Sequence, residues 1–438
     1  MYISVLFIFK SFLMKNLLFI LLSVIALNVS AQDTYLQCGK IIDVESGKVW
    51  AEKTIVVSDN KIKSIQNGFI TGSSTDVTID LKNKTILPGF IDLHVHIESE
   101  SNPNTYIDRF TDNEADIAFK STVFAKKTLL AGFTTVRDLG GSGVNIAIRN
   151  AINKGIVDGP RVFTSGKSIA TTGGHADPTN GRSHEFTGDP GPKEGVVNSP
   201  DEGRKAVRQR YKDGADVIKI TATGGVLSVA KNGKNPQFTV EEIKAITETA
   251  NDYGMLTAAH AHGDEGMKRA ILGGIKTIEH GSYMSDETME LMKKHDAYLV
   301  PTITAGKQVA EKAEVKGYFP EVVAVKAREI GPLIQGTFGR AYKKGVKIAF
   351  GTDAGVFPHG LNAKEFGYMV EAGMPAIEAI QSATITNANL LGVGDEIGLI
   401  KNGYLADIVA VSGDPLKNIT VLETVSFVMK NGIVYKNN

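Results

Sequence analysis

Residues 85–96 read TILPGFIDLHVH, an apolar run that is entered through a Pro-Gly turn and closed by two histidines. The run predicts a buried β-strand. Because side chains at i and i+2 of a strand point to the same face, His94 and His96 should aim at one point just beyond its end. Two neutral imidazoles on a rigid element suit zinc and similar ions, although other ligands must come from elsewhere. The stretch therefore predicts part of a metal site.

The composition is that of an ordinary globular protein without excess charge. Of the 438 residues, 42% are hydrophobic and 22% are charged, with 48 basic and 48 acidic side chains. Such a chain can bury a large core, and its balanced charge gives no support to nucleic acid as a partner. Cys38 is the single cysteine, which excludes an internal disulfide.

The first 31 residues have the pattern of a secretory signal peptide. Lys15 is followed by an apolar core, and the small residues Val29-Ser30-Ala31 form a cleavage site before Gln32. The apolar core is short for a bilayer span, so a permanent anchor is the weaker interpretation. We expect a periplasmic or secreted protein with no stable membrane span after cleavage.

Strand-like and helix-like segments alternate through the middle of the chain. Eight strand-like segments, each followed by helical material, lie within residues 87–400. The alternation predicts an α/β fold of the (β/α)8 type, a TIM-like barrel whose chemistry sits at the C-terminal ends of its strands. Short alternating strands at 32–86 and 401–438 need cover for their apolar faces, so we expect both chain ends to form one small β-sandwich domain.

Side chains that can bind metals recur at the predicted strand ends. They are His94 and His96 on the first strand, Lys219 on the fourth, His260 on the fifth, His280 on the sixth and Asp353 on the eighth. Each alone could be a buried polar group or a helix cap, but their recurrence at one rim favours a metal site. A buried lysine fits there if its amine is neutral enough to add carbon dioxide, because the carbamate can bridge two ions.

Together with neighbouring motifs, these residues resemble the amidohydrolase superfamily. The matching stretches span nearly the whole mature chain and are residues 87–96, 218–220, 260–263, 278–281, 351–354, 398–400, 403 and 405–409. Within the superfamily, Thr172-Gly173-Gly174-His175 and residues 136–141 resemble the Xaa-Pro dipeptidase and imidazolonepropionase-like branch.

The resemblance implies a binuclear centre holding two divalent metal ions, with zinc as the expected metal. The implied ligands are His94, His96 and Asp353 for one ion, His260 and His280 for the other, and a carboxylated Lys219 that bridges both. A hydroxide shared by the ions would attack the substrate carbonyl, and Asp353 would pass its proton to the departing amine. His175 would stabilise the tetrahedral intermediate.

Further residues of the rim are candidates for binding the substrate. His262 and His359 flank the site, and His262 is assigned to the substrate because the family match falls on the first histidine of the pair. The candidates for a substrate carboxylate, among which the sequence does not choose, are Arg137, Arg182, Lys231 and Lys234.

Three functions stay open. The first is hydrolysis of a small amide, most simply an Xaa-Pro or Xaa-Arg/Lys dipeptide or an N-acyl amino acid. The second is cyclic-amide hydrolysis, as in imidazolonepropionase, or deamination. Barrel deaminases lack the lysine and place a glutamate close after a ligand histidine. Here Glu265 has the wrong spacing from the preceding histidines, and Lys219 is present, so deamination is disfavoured. The third is a non-enzymatic relative, which the complete set of ligand types disfavours.

We also expect a homo-oligomer.

Overall fold

The computed structural model describes residues 32–230 and 232–438. The predicted signal peptide, residues 1–31, and Lys231 lie outside the described residues. Among the residues described, none of the helices combines the length and the apolar character that a membrane span requires.

Strands from both ends of the chain build one seven-stranded sheet. In spatial order its strands are β15 (Ile433–Asn437), β14 (Val425–Lys430), β13 (Ile408–Val411), β4 (Val77–Pro88), β1 (Thr34–Asp43), β2 (Lys48–Ser58) and β3 (Lys61–Asn67). Strand β4 joins the two ends, because it pairs in parallel with β1 and antiparallel with β13. Leu36, Ile86 and Phe427 belong to one buried apolar cluster on this sheet. The division into a sandwich (32–86 and 401–438) and a barrel (87–400) stays a prediction.

Eight parallel strands occupy the middle of the chain. One sheet contains β5 (Phe90–Val95), β6 (Phe133–Asp138) and β7 (Arg161–Thr164), and a second contains β8 (Val217–Thr221), β9 (Leu256–Ala261), β10 (Thr277–His280), β11 (Tyr298–Val300) and β12 (Lys347–Ile348). Each neighbouring pair runs in parallel. The fold is therefore α/β with predominantly parallel central strands, and its strand positions agree with those read from the sequence.

Backbone contacts join these two sheets at both ends. Beyond β7, Ile169 forms a parallel bridge with Ile220 of β8. Beyond β12, Ala354 forms a parallel bridge with Val95 of β5. The C-terminal ends of strands from the two sheets consequently lie side by side, which brings distant parts of the chain to one place.

Helices follow the strands. They are α1 (Thr105–Thr111), α2 (Glu114–Leu130), α3 (Val144–Asn153), α4 (Pro200–Asp213), α5 (Val240–Asp252), α6 (Asp264–Leu272), α7 (Asp286–Lys294), α8 (Ile303–Ala313), α9 (Glu321–Lys343), α10 (Lys364–Glu371), α11 (Ala376–Ser382) and α12 (Ile385–Leu390), with short 3-10 helices at His184–Phe186 and Ile419–Glu423. Local sequence sets their ends: Thr239 and Glu242 form a capping box at α5, and Gly214 closes α4 in the left-handed conformation. Helix α1 buries none of its residues, and its apolar side chains Ile107 and Phe110 are 61% and 62% exposed.

Candidate active site

His94, His96 and Asp353 form what we call the first cluster. The two histidines end β5, and the amide of Asp353 donates to the carbonyl of His94 at 2.7 Å. The Nε2 atoms of His94 and His96 lie 3.4 and 3.2 Å from Oδ1 of Asp353. That buried oxygen has no hydrogen-bond partner among the described residues. The two Nε2 atoms and this oxygen thus converge on one point without forming hydrogen bonds to one another. A cation bound at that point would satisfy all three.

The other ring nitrogen of each of these histidines faces an acceptor. Nδ1 of His94 lies 2.8 Å from Oε2 of Glu279, and Nδ1 of His96 lies 2.8 Å from the carbonyl oxygen of Gly140. An acceptor at Nδ1 keeps the proton there, so the Nε2 lone pair is left to point at the cluster. This is the tautomer that a metal ligand needs.

A buried ion pair supports His94. Arg137 donates through Nη2 to Oε1 of Glu279 at 2.9 Å, through Nη1 to Oγ1 of Thr277 at 3.1 Å and through Nε to the carbonyl of Leu93 at 2.6 Å. Burial raises the pKa of Glu279, but Arg137 and His94 outweigh it and lower that pKa to about 2. Arg137 is itself fully buried. Its assignment to a substrate carboxylate is therefore corrected: its guanidinium serves protein groups inside the fold.

His260, His262 and His280 form the second cluster, at the ends of β9 and β10. One nitrogen from each ring lies within 4.8 Å of the other two. The remaining nitrogens face neutral acceptors: Nε2 of His260 is 3.0 Å from the carbonyl of Gly224, Nδ1 of His262 is 2.9 Å from Oγ of Ser282, and Nδ1 of His280 is 2.7 Å from Oγ1 of Thr302.

The place of His262 differs from the prediction. It was assigned to substrate binding, and the structure groups it with His260 and His280 as a possible metal ligand. The signal was present in the sequence, since His260 and His262 have the same i, i+2 spacing as His94 and His96.

Lys219 lies on β8 and is 3% exposed. Burial lowers its pKa to about 8, although Glu279 and Asp353 oppose the shift. Its charge acts on the pKa of His94 and Asp353 in the first cluster and of His260 and His280 in the second. The charge of Lys219 is thus close enough to influence both clusters, and the lowered pKa increases its neutral fraction at neutral pH.

The backbone is strained where two strands end. His280 has a φ of 73° and Asp353 a φ of 63°, both in the left-handed region that residues with a side chain rarely adopt. Such strain costs on the order of 1–3 kcal/mol and tends to persist where function requires it. Both residues are candidate ligands, His280 at the end of β10 and Asp353 five residues beyond β12.

His175 covers the second cluster from the loop after β7. Its ring stacks on that of His260 with 4.3 Å between centroids, and its Nδ1 has no hydrogen-bond partner among the described residues. A Cβ on Gly225 would lie 2.1 Å from this ring, so only glycine leaves room for it. Burial lowers the pKa of His175 to about 3, which keeps the imidazole neutral with one N–H to donate.

His359 is buried, and protein groups face both of its ring nitrogens. Its Nδ1 lies 3.1 Å from Oγ1 of Thr128, its Nε2 lies 3.0 Å from the carbonyl of Ser99, and its ring stacks on Phe124 at 5.2 Å. Because both nitrogens are held by protein groups, its assignment to the substrate is corrected to a structural role.

Two other basic candidates for a substrate carboxylate also have protein partners. Arg182 stacks over Phe110 at 5.2 Å and donates to the carbonyl of Arg109. Lys234 lies 2.5 Å from Glu329 and over the ring of Tyr283. Whether either binds a substrate carboxylate stays a prediction.

The donor sets fit divalent cations. Neutral imidazole nitrogens and one carboxylate, each oriented by a hydrogen bond or a strained backbone, are ligands that zinc and related metals prefer. Burial lowers the pKa of His94 and of His262 to about 4, so these imidazoles carry no proton that would compete with a metal at neutral pH.

Comparison with known proteins agrees with this chemistry. Residues 85–435 match the Amidohydrolase family. A solved Xaa-Pro dipeptidase with methionine bound in its active site is 52% identical, with a TM-score of 0.90, and the match covers 93% of this chain and 100% of that one. Ochratoxinase of Aspergillus niger is 34% identical over 364 residues, which are 79% of this chain and 74% of the relative. Imidazolonepropionase of Caldanaerobacter subterraneus is 30% identical over 192 residues, 41% of this chain and 39% of the relative. The chain belongs to the amidohydrolase family and is a hydrolase that acts on carbon–nitrogen bonds.

Proposed function

We propose that this hydrolase is a binuclear metal-dependent dipeptidase that cleaves the amide bond of a small substrate, with Xaa-Pro dipeptides first among the candidates. The observation that carries the proposal is the pair of adjacent clusters, in which the ring centroids of His94 and His280 lie 5.1 Å apart and the charge of Lys219 acts on both groups. The 52% identity with an Xaa-Pro dipeptidase over nearly the whole chain supports this choice of substrate. Xaa-Arg/Lys dipeptides and N-acyl amino acids are the next candidates.

We place the site at the C-terminal rim of a closed (β/α)8 barrel. Eight parallel strands with intervening helices, and a backbone bridge at each junction of the two sheets, support this interpretation. Polar side chains at strand ends are then brought together from every part of the chain.

In this site the first cluster would hold one cation and the second cluster the other. When bound, the cations would supply Lewis acidity at the substrate carbonyl and lower the pKa of water. Carboxylation of Lys219 would form a bond between Nζ of its neutral amine and the carbon of carbon dioxide with loss of one proton, giving an anionic carbamate with two oxygens.

Two residues would handle protons and charge during amide cleavage. Burial raises the pKa of Asp353, but His94, His96 and Lys219 outweigh it and lower that pKa below its usual range, so the carboxylate is ionised and can accept a proton through Oδ1. The amine that departs needs a proton, which Asp353 can return. His175, neutral and half-buried, has an N–H to offer to the carbonyl oxygen as negative charge develops.

The first test is elemental analysis combined with hydrolysis of a panel of substrates. We expect about two equivalents of zinc per chain and release of free amino acid from Xaa-Pro dipeptides that a chelator abolishes. The panel also contains Xaa-Arg, Xaa-Lys and N-acyl amino acids. No bound metal and no hydrolysis of any amide would overturn the proposal.

A cyclic amide belongs on the same panel. The similarity to imidazolonepropionase, although it spans only 41% of this chain, favours cyclic-amide hydrolysis as the second function. Faster turnover of a five-membered cyclic amide than of any dipeptide would put that function first.

Export and self-association are proposed from the sequence. The pattern of residues 1–31 predicts cleavage before Gln32. N-terminal sequencing of protein from fractionated cells tests the cleavage, and light scattering of the purified enzyme tests the predicted homo-oligomer.

A further inference from the structure

A loop that follows β8 controls two histidines of the site. We call residues 223–230 the β8 loop. The carbonyl of Gly224 accepts a hydrogen bond from Nε2 of His260 at 3.0 Å. Gly225 lies against the ring of His175. Any shift of this loop would therefore turn His260 and change the space available to His175.

One lysine on a distant helix holds this loop. Lys326, on α9, donates through Nζ to the carbonyls of Gly225 at 2.9 Å, Ser228 at 2.6 Å and Ala230 at 2.7 Å. An ammonium has three N–H donors, and each of them has one acceptor here. The three contacts define both the position of the loop and the direction of its carbonyl groups.

Lys326 is unusual because it is 9% exposed and is neutralised by no carboxylate among the described residues. Burial lowers its pKa to about 8, and no charged neighbour adds to or opposes that shift. A buried unpaired charge costs free energy that an apolar side chain would not. Stability of the fold alone would therefore favour an apolar side chain over an ammonium at this position.

Apolar contacts already attach the loop to the helix. Val226 packs in one buried cluster with Ala324, Ala327 and Ile330 of α9. What these contacts cannot do is orient carbonyl groups, because dispersion forces are non-directional. The directional part of the contact comes from Lys326.

We propose that Lys326 is a positioning residue of the active site, which holds the β8 loop so that Gly224 fixes the ring of His260 and Gly225 leaves room for His175. This inference rests on the proposed function, because it takes His260 as a metal ligand. Nothing in the sequence motif around the histidines points to Lys326, which lies 66 positions after His260.

The test compares Lys326→Met, which keeps the length of the side chain without its charge, with Lys343→Met, an exposed lysine on the same helix. Metal release is measured by titration of the loaded, folded enzyme with a zinc chelator and an indicator dye. We expect Lys326→Met to release one of the two ions about 10–100 times more readily and to lose kcat while KM stays the same, since loss of a group that orients a ligand has effects of this size. Lys343→Met should match the wild type in each measurement.

A purely structural lysine would give a different result. It would lower the midpoint of thermal unfolding and leave metal release from the folded enzyme unchanged, and that outcome would overturn the inference. Lys326→Gln, which retains N–H donors on a shorter side chain, replaces Lys326→Met if the latter does not fold, and we expect intermediate metal release from it. Wild-type enzyme that binds no metal would instead overturn the proposed function, which separates the two failures.

Discussion

The two clusters have the same number of candidate ligands but different support. In the first, Asp353 lies among the ligands and a carboxylate, Glu279, holds His94. In the second, all candidate ligands are imidazoles, and their partners are two hydroxyls and a carbonyl. A carboxylate behind a histidine raises its basicity as a ligand more than a neutral acceptor does. The first cluster should therefore bind its ion more tightly and lose it last.

The largest effect should come from Asp353→Asn, which keeps the shape of the side chain and removes its charge. We expect kcat to fall by about 10²- to 10⁴-fold, the range typical for loss of a general base, together with weaker metal binding at the first cluster. Steady-state hydrolysis of an Xaa-Pro dipeptide measures the change. Asp395→Asn, at an exposed carboxylate, is the control. A fall of less than tenfold would remove Asp353 from proton transfer.

A second, smaller effect should follow from Glu279→Gln. We expect the affinity of one ion to drop by about 10–100-fold, since an outer carboxylate orients its histidine, while the other ion is retained. Competitive chelation followed by elemental analysis measures both. Equal weakening of the two ions would show that the clusters do not differ as described.

The variant also leaves the charge of Arg137 unpaired, which should cost about 3–5 kcal/mol in the free energy of unfolding. The double variant Arg137→Met/Glu279→Gln removes both charges. In chemical denaturation, the double variant should recover much of the lost free energy of unfolding, but it should not recover the metal affinity. The effect on stability and the effect on metal binding can therefore be distinguished.

Neutral partners should matter less. Thr302→Val removes the hydroxyl behind His280, and we expect about a three- to tenfold loss of metal affinity at the second cluster, in keeping with one neutral hydrogen bond. Ser282→Ala does the same behind His262. An effect of Ser282→Ala equal to that of Thr302→Val would make His262 a ligand, and no effect would leave His260 and His280 as the ligands. Chelator titration measures both variants.

The smallest effect on activity should come from His359→Ala. Because both nitrogens of His359 bond to protein groups, we expect kcat/KM within about twofold of the wild type and a loss of about 1–3 kcal/mol in the free energy of unfolding, from the buried groups left unpaired. Parallel kinetics and denaturation measure this. A large fall in kcat/KM at full stability would restore His359 to the substrate site.

The sequence predicted those parts of the fold and site that depend on local spacing. Alternation of strands and helices located the eight parallel strands, and the i, i+2 pair His94 and His96 together with the strand-end positions of His260, His280 and Asp353 located the candidate ligands. These features need only the period of a strand and the rule that chemistry lies at its C-terminal end.

The partners of those residues could not be predicted, because they lie far apart in the chain. Glu279 is separated in sequence by 185 positions from His94 and by 142 positions from Arg137, so no short motif links these residues. The misassignments of Arg137 and His359 have the same cause: a charged or aromatic residue near a strand end is equally suited to a substrate or to an unseen internal partner. Strand β12 also ends at Ile348, five residues before Asp353, although its apolar run continues to Phe350.

The pairing of β4 with β13 has a consequence for how the protein is made. Strand β4 is complete by Pro88, yet one of its neighbours is supplied only at Ile408–Val411. During synthesis, the apolar edge that contains Ile86 and Leu87 stays unpaired until Ile408–Val411 has been made, and an unpaired edge of this kind invites aggregation. A product truncated before Ile408 would keep β4 as an open edge of the sheet, so we expect it to aggregate more readily than the full chain.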